Sequence, residues 1–64
     1  MPLYAIVDDR TLKQGIFSAL YQTRTNDGEA LLATFDEYRK KYEGTDVHPV
    51  LAQKFKDGWK VISG

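Results

Sequence analysis

The stretch "LYQTRTNDGEALL", Leu20 to Leu32, passes from β-forming residues through Thr23-Arg24-Thr25 and Asn26-Asp27-Gly28 into a run of helix formers. Asp-Gly between two apolar runs is by itself a hairpin signal. The residues after it, Glu29-Ala30-Leu31-Leu32-Ala33, contain few β formers and continue a helical period, so the junction reads as strand into helix. Asn26, with Glu29 three residues later, makes a capping-box-like start. The first free N–H groups of a helix attract anions, and Arg24 and Thr25 lie nearby. Asn26, Asp27 and Glu29, however, crowd the same end with acceptors and negative charge, and the lysine of a glycine-rich phosphate loop is missing. An EF-hand loop fails too. With Gly28 at its sixth position, Thr23 and Thr34 fall at the first and twelfth, and the bidentate acid is lost. The stretch is a structural junction.

Downstream, Leu31, Phe35, Tyr38 and Tyr42 follow one helical stripe, and Asp36–Lys40 and Glu37–Lys41 are acid-before-base pairs four residues apart. Arg39-Lys40-Lys41 suits the negative end of the helix dipole, and Gly44 suits a closing residue, which predicts a helix from about Asp27 to Glu43. Upstream, Leu3-Tyr4-Ala5-Ile6-Val7 predicts a buried strand, Arg10 to Gln14 a polar turn, and Ile16 to Thr23 a second strand. A helix over residues 11–23 is the rival, because Leu12, Ile16 and Leu20 are spaced by four; Gly15 and the threonine-rich end oppose it. Beyond Gly44, His48 before Pro49 predicts an N-cap and a short helix to about Asp57, with Leu51 and Phe55 inward. Gly58 stops it, and Trp59 to Ile62 predicts a last strand. The expected fold is a small two-layer α+β domain over residues 1–64, ordered β-β-α-α-β with a three-stranded sheet. The alternative is a three-helix bundle with short strands.

Sixty-four residues make one small domain, which buries only about 60% of the surface its unfolded chain exposes. With no cysteine and one histidine, disulfides and zinc cages are not available to brace it. Efficient packing around the aromatic residues, or self-association, is left. Nine basic and nine acidic residues cancel, and the isoelectric point is near 6.5, which gives no long-range pull toward nucleic acid or acidic membranes. No run approaches the roughly 20 apolar residues of a membrane span, and the opening Met1-Pro2-Leu3 does not resemble a secretory leader, so a cytoplasmic setting is expected.

The chemistry-bearing residues are sparse. Asp8 and Asp9 are adjacent at a strand end, so their side chains diverge instead of sharing a proton, and they read as solvated turn residues. His48 reads as a cap, and Ser18 and Ser63 have no evident base. No enzyme, cofactor or metal is expected from this set, and no motif is specific enough to name a family. The strands carry apolar residues on both faces, whereas helices cover only one face of a two-layer sheet, so an apolar outer face is expected. It would bind a protein partner or a second copy, as an inhibitor, adaptor or regulatory factor does. Tyr4 and Tyr21 are its expected anchors, with Phe17 and Arg24 beside them. Nucleic-acid binding is the alternative: Arg24, Lys54, Lys56 and Lys60 would meet phosphates while aromatics stack on bases.

Overall fold

The computed structural model describes all 64 residues, Met1 to Gly64. Two helices and four strands follow the order β1 (Leu3–Asp8), α1 (Asp9–Lys13), β2 (Ala19–Arg24), α2 (Gly28–Lys41), β3 (Pro49–Phe55) and β4 (Gly58–Ser63). The strands form one antiparallel sheet in the order β2-β1-β3-β4. It is a small α+β domain, with one strand more than the sequence predicted. No helix is long and apolar enough to cross a membrane.

The added strand is β3, where a helix from Pro49 to Asp57 was expected. A spacing of four puts Leu51 and Phe55 on one face of a helix, but it also puts them on one side of a strand, so that pair does not discriminate. Burial discriminates. Val50, Leu51 and Ala52 are all 4% exposed or less, which a strand central to a sheet covered on both faces achieves and a one-sided surface helix does not. Pro49 opens the strand opposite Asp8, the terminal position where a missing N–H is tolerated. His48 therefore caps nothing. Its N–H donates to Asp8 Oδ1 at 3.0 Å, and its carbonyl accepts from the Asp9 N–H at 2.9 Å.

Asp8, expected as a solvated turn residue, instead caps α1: its carboxylate also accepts the Arg10 N–H at 3.1 Å. The polar turn expected over Arg10 to Gln14 is mostly this short helix. Residues 19–24 are a strand, so the three-helix alternative does not hold. In α2 the N-cap is Asp27, not Asn26: the Asp27 side chain accepts the Ala30 N–H at 3.1 Å and its carbonyl accepts the Leu31 N–H at 3.1 Å. Both residue types cap well, and one step along the chain brings the cap to the residue just before the helical stripe.

The core lies on both faces of the sheet. On one face, Ile6 and Leu51 pack with Leu31 and Phe35 of α2, and Tyr4, Leu20, Tyr21 and Tyr38 close the sides. On the other, Ala5, Val7, Val50 and Ala52 are buried beneath Leu12 of α1 and Trp59 of β4. The open apolar face expected from a two-layer sheet is thus covered at its centre. The small alanines and valines let α1 and Trp59 lie close against the strands.

Candidate functional site

The uncovered apolar surface lies at the rim of this second face, and the chain between α1 and β2 builds it. After Lys13 the backbone turns back on itself: Gln14 and Ile16 N–H groups donate to the Thr11 carbonyl at 3.0 and 2.9 Å, and Gly15 donates to Leu12 at 3.0 Å. This return positions Phe17 against Trp59, with ring centroids 4.8 Å apart and planes tilted by 33°. Val61, opposite Ala52, extends the same side of the sheet. Phe17 remains 39% exposed, Ile16 55% and Val61 47%, so apolar area here faces solvent.

Trp59 reaches this place through the β3–β4 hairpin. Phe55 pairs with Gly58 across a two-residue turn, Lys56-Asp57. Two-residue hairpin turns favour positive φ within the turn, which Lys56 and Asp57 do not adopt. Gly58 supplies the reversal instead, at φ 126°, a conformation costly for any residue with a side chain. The hairpin then sets Trp59 opposite Lys54, whose Nζ lies 6.0 Å from the indole centroid. On the reverse side of the hairpin, Lys60 Nζ lies 5.6 Å from the ring of Phe55, itself 39% exposed. Each side of the hairpin therefore presents one aromatic ring with a lysine over it, an arrangement that favours both partners.

The four residues singled out from sequence do not come together. Tyr4 and Tyr21 lie on the side covered by α2, partly buried against its core, and Tyr21 packs on Tyr38 at 5.6 Å between centroids. Instead of the outer face expected for them they take the α2 face, because a strand's alternation places Tyr4 with Ile6, and Ile6 points to α2. Phe17 and Arg24 lie on the opposite side. Arg24 pairs with Leu3 at the end of β2, at the far edge of the sheet from Trp59. The sequence reading missed Trp59 as the partner of Phe17. Its available signal was Asp57-Gly58, a hairpin dipeptide between apolar runs.

A concavity of about 520 Å³ opens elsewhere, between the C-terminal end of α2 and the chain leading into β3, with Asp36, Arg39, Lys40 and His48 among its lining residues. One ion pair lies in its lining, Lys40 Nζ to Asp36 Oδ2 at 3.1 Å, and the Arg39 guanidinium lies over the ring of Phe35 at 5.7 Å. No set of three His, Cys, Asp or Glu side chains converges on a metal-binding position. No protein-family model, curated protein or solved structure matches the chain.

Proposed function

We propose that this chain is a non-catalytic protein-interaction module of the cytoplasm, with the rim formed by Phe17, Trp59 and Val61 as its binding surface. The observation that carries this reading is the Phe17–Trp59 pair, held by backbone hydrogen bonds and cross-strand pairing yet left partly exposed with Ile16 and Val61 around it. Rigid aromatics flanked by exposed aliphatics are the usual energetic centres of protein interfaces. A neutral chain also suits short-range burial better than long-range attraction. Tyr4 and Tyr21 then support the surface from the other side of the sheet, and Arg24 has no part in it.

Capture from cell extract, identification by mass spectrometry and binding of the repurified partner test the proposal. Phe17→Ala should weaken that complex by more than about 1 kcal/mol, as truncation of a central aromatic does. An unchanged affinity would remove the surface. The lysines over Trp59 and Phe55 favour a second reading, nucleic-acid binding by stacking and phosphate contact. Affinity for single-stranded RNA or DNA that falls steeply with added salt would select it.

A further inference from the structure

The β4 strand ends the sheet, so one of its sides presents backbone N–H and C=O groups with no strand beside them. The other free edge, β2, differs in what surrounds it. Beside β2 the exposed side chains are Ala19, Gln22 and Arg24. Along β4 they are Lys60, Val61, Ile62 and Ser63, with Trp59 and Phe17 on one side of the sheet and Phe55 on the other. Charge is also uneven. The hairpin holds Lys54, Lys56 and Lys60 against a single acid, Asp57, in a chain of zero net charge, and none of the three lysines has a carboxylate within ion-pair distance.

From this edge we infer that β4 takes up an extended segment of another protein as a fifth strand, with apolar side chains on one face of that segment and acidic ones on the other. The inference rests on the proposed interaction function and names its partner chemistry. An unpaired ladder is complementary to extended backbone, which supplies affinity through main-chain hydrogen bonds while side-chain pockets supply selectivity. Alternation fixes the two faces of the added strand. Its apolar side chains meet Val61, Trp59 and Phe17 beside Lys54, which lies over the indole; its carboxylates meet Lys60, the one lysine of β4, which pairs with Gln53 and so lies on the opposite side. A second copy of this chain fits less well. It brings Lys60 to the same edge with no acid in β4 to meet it, and like charges directly opposite across paired strands are destabilising.

Trp59 is the single tryptophan, so its emission reports on this edge directly. The probes are capped peptides of about eight residues, a common strand length: one alternating glutamate with valine, one alternating lysine with valine, and one of glutamate alone. The Glu/Val peptide should shift Trp59 emission saturably and bind about tenfold tighter than either other peptide, a difference of about 1.4 kcal/mol. It should slow hydrogen exchange of amides along β4 while leaving β2 unchanged, and Lys60→Glu should transfer the preference to the Lys/Val peptide. Three results overturn the inference: equal affinity for all three peptides, binding without protection of β4 amides, or a concentration-dependent dimer that buries Trp59. A peptide that binds without β4 protection, but loses affinity in Phe17→Ala, overturns the strand while leaving the aromatic surface intact. An extract partner indifferent to Phe17→Ala overturns the surface itself.

Discussion

The two faces of the sheet are closed by different means. One is covered by a fourteen-residue helix, and Leu31 and Phe35 fill the space over Ile6 and Leu51. The other is covered by a five-residue helix, a returning loop and an indole from the edge strand, set over alanines and valines. The helix covers the middle of its face over Ile6 and Leu51 and leaves Phe55, at the hairpin end of that face, 39% exposed. The second cover closes the centre with smaller pieces and leaves the Phe17 ring partly in water at the rim, with Ile16 and Val61 exposed around it. The α2 side holds most of the large buried side chains, and the opposite side leaves Ile16, Phe17 and Val61 exposed beside Trp59.

Substitutions on each side sharpen that contrast. Phe35→Ala should have the largest effect, about 3–5 kcal/mol, enough to unfold so small a domain; chemical denaturation of this variant measures it. Leu12→Ala should cost about 1–2 kcal/mol, below the range for a fully buried leucine, because Leu12 is only partly buried over its face. If the two losses were equal, both faces would carry stability alike and the contrast would fail. Asp27→Ala should cost about 1 kcal/mol of denaturation free energy, while Asn26→Ala should stay within about 0.5 kcal/mol, because the carboxylate of Asp27 holds the Ala30 N–H. Lys40→Ala should cost least, about 0.2–0.5 kcal/mol, since its pair with Asp36 is exposed and spaced by one helical turn.

Particular residues explain what was legible in the sequence. Leu31, Phe35 and Tyr38 repeat at a spacing that a strand does not share over so many residues, and α2 was found within one or two residues of its bounds. The apolar runs of β1 and β2, and the aromatic start of β4, were likewise readable as strands. The segment from Pro49 to Phe55 was not. Pro49 suits the first residue of either element, Leu51 and Phe55 suit either period, and only pairing with β1 decides between them. The consequence reaches the aromatic pair at the rim. With β3 taken as a helix, Asp57-Gly58 became a helix stop, the hairpin was lost, and Trp59 had no route to Phe17. The same dipeptide type begins a helix at Asp27-Gly28 and completes a hairpin at Asp57-Gly58, because the residues on either side set its context.

The carboxylate of Asp8 joins two pieces of chain 40 residues apart, holding the first turn of α1 and the backbone just before β3 with one oxygen. A five-residue helix is too short to persist alone in water. The two contacts with His48 therefore exist only after β1 and β3 have aligned, and contacts so distant in sequence are slow to form. Folding order follows from this. α1 should assemble on an already paired sheet, after the rate-limiting barrier, so Asp8→Ala should speed unfolding while leaving the refolding rate nearly unchanged in stopped-flow kinetics. The side of the molecule that carries α1 is then the last to take shape and the first to loosen.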